Sequence, residues 1–165
     1  MSSPREAIVA LVAREPGLHL REMPRRLGFS LRAVRYHLDR LIAEGRVRSE
    51  QAGGFVRFFS PSAFSKGERA VLCAARVAGQ RALMEALVGG APMRFADLRA
   101  ATGLSKGSLA WHLNSLEGAG VAARDEAARF ALCDRGAAEM ALALTRPTVA
   151  DALADAATEI FDAPK

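Results

Sequence analysis

Ser30-Leu-Arg-Ala-Val-Arg-Tyr-His-Leu-Asp-Arg-Leu-Ile-Ala-Glu-Gly45 decides the fold, because the chain repeats its pattern as Ser105-Lys-Gly-Ser-Leu-Ala-Trp-His-Leu-Asn-Ser-Leu-Glu-Gly-Ala-Gly120. The two stretches align without a gap at an offset of 75 positions. Gly28, Val34, Tyr36, His37, Leu38, Leu41 and Gly45 fall on Gly103, Leu109, Trp111, His112, Leu113, Leu116 and Gly120. Upstream, Ile8, Val12, Leu20 and Met23 fall on Leu83, Leu87, Phe95 and Leu98, so the repeat extends well beyond one helix. Two copies are too few for a solenoid and predict two small duplicated domains.

Val34, Leu38 and Leu41, at i, i+4 and i+7, make one side of a helix that Ser30 caps and Gly45 stops. At 100° per residue Arg32 and Tyr36 point nearly opposite, with Arg35, Asp39 and Arg40 on the shoulders. Two helices precede it. Pro4 with Arg5 to Ala13 forms the first, under a cap from Ser2 or Ser3. Arg21 to Leu27 forms the second, where Pro24 is tolerable only near the helix start. Leu18 to Leu20 is extended. After Gly45 the period falls to about two, and Gly53-Gly54 turns Arg46–Glu50 back into Phe55–Ser60 as a hairpin.

Three helices and a hairpin make a winged helix. The fold expected is mainly α with small β-hairpin wings, two winged helix-turn-helix domains in tandem plus a C-terminal helix. The first domain takes residues 1–62 and the second 79–145. Residues 63–78 read as a helical linker, the first half of a helix-permissive stretch from Ser65 to Val88 interrupted only by Gly67 and Gly79, whose second half from about Gln80 is helix 1 of the second copy. The second hairpin runs Val121–Arg124 and Arg129–Cys133, turning near Asp125 to Ala128. The C-terminal helix falls in 146–165, with Thr148 and Asp151 as a capping box. Its Val149, Leu153, Ala156 and Ile160 share one side, which either packs on its own domain or forms a dimer contact.

At 165 residues the chain holds two domains of about 60 to 75 residues, each near the lower limit for a single core. Residues 1–62 carry 11 Arg and no Lys against 6 acids, whereas 91–165 carry 8 bases against 10 acids. A polyanion would therefore be attracted to the first copy. Cys73 and Cys133 are too few for a disulfide framework and are expected as buried, reduced thiols. No apolar run approaches the ~20 residues that span a bilayer, and no apolar signal segment opens the chain. The expectation is a cytoplasmic, nucleoid-associated protein without membrane contact. Neither a phosphate-cradling loop, a metal cluster nor a nucleophile paired with a base is visible, so no enzyme and no cofactor is expected.

The Ser30–Gly45 string resembles the recognition helix of winged helix-turn-helix transcriptional regulators of the ArsR and MarR type, and Ser105–Gly120 resembles it again. Arg129 to Gly136 is similar to the second wing strand of that family. The likeness covers residues 4–62 and 79–140, as in prokaryotic regulators that carry two such domains in tandem. It implies a sequence-specific regulator of double-stranded DNA, with the third helix of each domain in the major groove and the wing on the flanking backbone or minor groove. The groove-facing set implied for the first copy is Ser30, Arg32, Ala33, Arg35, Tyr36 and Arg40, with Arg48 and Arg57 on the wing. Arginine suits that work, because it grips guanine bidentately and also neutralises phosphate.

The second copy departs from this pattern. Its matching positions are Ser105, Lys106, Gly107, Ser108, Ala110, Trp111 and Asn114, with Lys106 the one base among them. Trp111 is expected to be partly exposed, as a contact for DNA or for a protein partner, unless tertiary packing covers it. A homodimer is a further expectation. Tandem winged helices also occur in chromosome- and polymerase-associated scaffolds, which stands as the alternative function. His37 and His112, equivalent and at the edge of each buried side, read as structural histidines, since no ligand neighbours them at metal spacing. Asp39 is expected to pair with Arg35 one turn back.

Overall fold

The structure is a computed structural model and describes residues 3–147. Helix α1 (Pro4–Arg14) starts at Ser3, whose hydroxyl accepts from the Glu6 amide at 3.3 Å while the Glu6 carboxylate accepts from the Ser3 amide at 3.1 Å. This reciprocal cap satisfies two donors of the first turn. A two-residue strand β1 (Leu18–His19) leads to α2 (Met23–Leu27). Pro24 is the second residue of α2, where a missing amide costs no helical hydrogen bond. The turn to α3 (Leu31–Ala43) needs a left-handed residue, which Gly28 supplies at φ +71°. Strands β2 (Arg48–Ala52) and β3 (Phe55–Phe59) close the unit as a hairpin, with β1 added antiparallel on the free edge of β3.

The second half repeats this order. Helix α5 (Ala78–Leu87), β4 (Met93–Arg94), α6 (Phe95–Thr102), α7 (Lys106–Gly118), β5 (Ala122–Arg124) and β6 (Arg129–Leu132) follow one another. Helices α3 and α7 have the same 13-residue length at the 75-residue offset, and Gly103 turns at φ +70°. Both sheets have the same strand order, β1-β3-β2 and β4-β6-β5. The architecture is thus helices with two small antiparallel three-stranded sheets, consistent with winged helix-turn-helix domains. Helix α8 (Arg135–Leu144), capped by Asp134, ends the described chain. The C-terminal helix expected in 146–165 lies outside the described residues apart from its first two positions.

Two cores form. Ile8, Leu11, Val12, Leu18, Met23, Val34, Leu38, Leu41, Val47 and Phe58 make the first. Each such side chain contributes roughly 1.5–3 kcal/mol on burial. The second joins α5, α6, α7 and α8, and it also takes in α4 (Lys66–Ala75), which buries Val71, Leu72, Cys73, Ala74 and Ala75. The segment 63–78 is therefore not a spacer: its helix is part of the second core.

The Ser65–Val88 stretch divides into two helices, with the break just before Gly79. A capping box between Ser65 and Glu68 starts α4, and the chain turns extended at Val77, φ −100° and ψ 118°, before α5 begins. Arg76 sits at the break, donating from Nε and Nη2 to the Pro16 carbonyl at 3.2 and 2.9 Å. That contact with the α1–β1 turn provides a partner for a side chain at the interruption. Cys73 is buried, and burial pushes its thiol up to about 11. Cys133 is exposed, contrary to the expectation of two buried thiols.

Candidate nucleic-acid interface

Helix α3 divides as its spacing predicts: Val34, Leu38 and Leu41 are buried, and Arg32, Arg35, Tyr36, Asp39 and Arg40 are exposed. Three arginines and one ring therefore share the outer surface of a helix whose inner side is anchored in the core. Tyr36 is 53% exposed and stands edge-on to His37, ring centroids 5.2 Å apart. The Arg40 guanidinium lies 5.0 Å from the centroid of the Tyr36 ring, so the ring orients it while leaving its N–H edge available. Asp39 and Arg35 form no ion pair among the described residues, and the expected pairing one turn apart is not made.

Ser30 works as the helix cap, its hydroxyl accepting from the Ala33 amide at 3.2 Å, and Ala33 is half-buried. Both therefore set the start of α3, and Ser30 keeps an exposed edge. Arg48, first residue of β2, is exposed. Arg57 is not on the outer surface: it is 4% exposed and its Nη1 donates to the Gly17 carbonyl at 2.9 Å. Its alternation with Phe58 points it away from the first core, but α4 covers that other face of the sheet. Burial lowers its pKa, and the Glu22 carboxylate is among the neighbours that oppose the shift. Arg57 is thus corrected from a wing contact to an internal strut.

Three further arginines are exposed and were not anticipated: Arg21 and Arg25 around the start of α2, and Arg46 just after α3. The repeat drew attention to the third helix alone. The high arginine content of residues 1–62 was the signal that could have found them.

In the second unit Leu109, Leu113 and Leu116 are buried and Trp111 is 60% exposed, the largest exposure among the large apolar side chains described. Its indole stands edge-on to His112 at 4.9 Å, repeating the Tyr36–His37 arrangement. Ser105 caps α7 by accepting from the Ser108 amide at 3.2 Å, Lys106 is exposed and Ser108 half-buried. Here the surface carries one cation, where α3 carries three.

His112 lies against the backbone of Gly79, where a Cβ would meet its ring at 2.1 Å. Desolvation lowers its pKa. Among the described residues, nothing hydrogen-bonds to the buried Nδ1 atoms of His37 and His112. Among the described residues no group of three or more His, Cys, Asp or Glu side chains is arranged to hold a metal ion, and no helix is long and apolar enough to cross a membrane.

Residues 2–72 match the family model HTH_HVO_0163_N, described as an N-terminal HTH domain. The match covers α1 to α3, the hairpin and much of α4. It supports a helix-turn-helix in the first unit and DNA as a partner. No curated protein matches the chain.

Proposed function

We propose that this protein is a sequence-specific DNA-binding transcriptional regulator in which the first winged helix is the main reader. The observation that carries the reading is the uncovered face of α3, where Arg32, Arg35 and Arg40 surround an exposed Tyr36 on a helix locked into its core from the other side. A helix of this diameter fits the major groove, and arginines at its outer positions reach guanine edges and phosphates. Arg32 and Arg35 are assigned to base edges, and Arg40, oriented by Tyr36, to the backbone. Arg48 supplies the wing contact, joined by Arg46. The α7 surface, through Ser105, Lys106, Ser108 and Trp111, makes a weaker flanking contact. The proposal assigns the protein no catalysis, and a homodimer on a two-fold symmetric site.

Selection of bound sequences from a random double-stranded pool tests it. A recurring motif is expected, and two-fold symmetry in that motif identifies the dimer. Recovery of unrelated sequences rejects sequence-specific reading.

One observation favours a second reading. Trp111 is exposed on a helix face with little positive charge, as an aromatic anchor for a protein partner would be. Under this scaffold reading a stable complex forms in nuclease-treated extract and is lost on Trp111→Ala. Under the regulator reading Trp111→Ala weakens DNA binding instead.

A further inference from the structure

Arg81 holds the end of α8 in place. Its Nη1 donates to the carbonyl and to the hydroxyl oxygen of Thr145 at 3.0 and 2.9 Å, and its Nη2 donates to the Leu142 carbonyl at 3.0 Å. Thr145 itself is buried. The last carbonyls of a helix lack intrahelical partners, so this α5 side chain satisfies carbonyls at the end of α8 and fixes where the chain leaves the second unit.

At that exit lies a groove of about 310 Å³ between α5 and α8. Glu85 and Val88 line it from α5, and Glu139, Leu142 and Ala143 from α8, with Arg146 at the end where the chain departs. The two carboxylates are already paired along their own helices, Glu85 with Arg81 at 2.9 Å and Glu139 with Arg135 at 3.0 Å. What remains to be covered is the apolar strip of Val88, Leu142 and Ala143 between them.

The sequence that follows fits that strip. Four residues, Thr145 to Thr148, separate α8 from the helix that spacing predicts to start at Val149, a length that joins antiparallel neighbours, and Pro147 stops α8 from continuing. Val149, Leu153, Ala156 and Ile160 fall on one side of that helix, and Asp151, Asp155, Glu159 and Asp162 on the other. From Val149 to Ile160 a helix rises about 16 Å, close to the ~15 Å of α8. Covering the apolar side leaves the acids in water.

We infer that residues 149–161 return as a helix antiparallel to α8 and lay Val149, Leu153, Ala156 and Ile160 into this groove of the same chain. The short connection keeps the stripe beside its own groove, at a higher effective concentration than a second copy supplies. The stripe is then covered within its own unit, and a dimer forms through another surface. None of this depends on DNA, so this assignment and the regulator reading stand or fall separately.

Thiol labelling of the full chain tests it in a Cys133→Ser background, where the remaining Cys73 is buried. Ala156→Cys places a thiol on the stripe, and Ala154→Cys places one on the opposite side. Ala143→Asp puts a carboxylate in the groove at an exposed position, and its melting temperature checks that the unit folds. Ala156→Cys is expected to react at least about tenfold more slowly than Ala154→Cys, and Ala143→Asp to abolish the difference. A chain carrying both Ala156→Cys and Ala143→Asp, refolded with an excess of the Cys133→Ser chain, should stay fully reactive. Equal rates at the two thiols, protection that survives Ala143→Asp, or protection regained from the added chain overturns the assignment, the last by seating the stripe in a second copy.

Discussion

Phe58 and Phe59 are adjacent on one strand, and they enter different cores. Phe58 packs with Ile8, Leu18 and Leu41, and Phe59 with α4 and the second unit. Successive side chains on a strand point to opposite faces, so the first sheet is sandwiched between the two cores. The Arg69–Glu50 ion pair and the Arg76–Pro16 hydrogen bonds tie the same elements from the α4 side.

Phe59→Ala should therefore damage both halves. Phe59 is fully buried, and truncating such a ring costs about 3–5 kcal/mol. Urea unfolding followed by circular dichroism and by Trp111 fluorescence should give one coincident transition, shifted in the variant. Separate transitions for the two signals would show that the cores are independent.

Arg48 and Arg57, nine residues apart on one hairpin, should separate cleanly in function. Arg48→Ala is expected to reduce the salt slope of DNA binding by about one, with stability within about 0.5 kcal/mol of the parent. Arg57→Leu should leave the slope unchanged and cost about 1–3 kcal/mol, because the Gly17 carbonyl loses its donor in a buried place. Binding isotherms at several salt concentrations, with urea melts, distinguish the two.

Gly79→Ala sets helix propensity against packing. Alanine gains about 1 kcal/mol over glycine inside a helix, and overpacking costs about 1–3 kcal/mol. With the His112 ring 2.1 Å from the added carbon, packing should win or cancel the gain. Displacing His112 also removes the edge-on neighbour of Trp111, so the emission spectrum should change even where the melting temperature does not.

His112 predicts the direction of one pH effect. Burial holds its pKa below the ordinary 6.5, so as pH falls the unfolded chain takes up that proton first. The contribution is intact above the unfolded value and is lost on acidification through the window just below it. Urea midpoints at about pH 7.5 and 5.5 should fall further in the parent than in His112→Gln. A steeper fall in the variant would contradict the burial.

Much of this was legible from periodicity. Helices α3 and α7, their serine caps, the glycine turns and both hairpins follow from local patterns, because capping and turn chemistry act within a few residues. The misplaced features depend on contacts distant in sequence. Arg57 looked like an outward strand residue, since alternation alone does not reveal that α4 covers the second face of the sheet. Ser65–Val88 reads as helix-permissive apart from Gly67 and Gly79, and local pattern does not mark the break at Arg76 and Val77, because the Pro16 carbonyl that Arg76 reaches is 60 residues away. The exposed arginines of α3 were readable as a face. Arg21, Arg25 and Arg46 were not, because they lie on the short second helix or the segments flanking the helices, where no buried stripe marks an outer face.

Whether the α3 arginines read DNA is tested by the salt dependence of binding by Arg32→Ala/Arg35→Ala on a selected site and on a scrambled duplex. Both arginines are exposed, so the variant should fold as the parent does. The preference for the selected site should disappear, leaving salt-sensitive binding of both duplexes alike. A double variant that still discriminates the two duplexes as the parent does would contradict it.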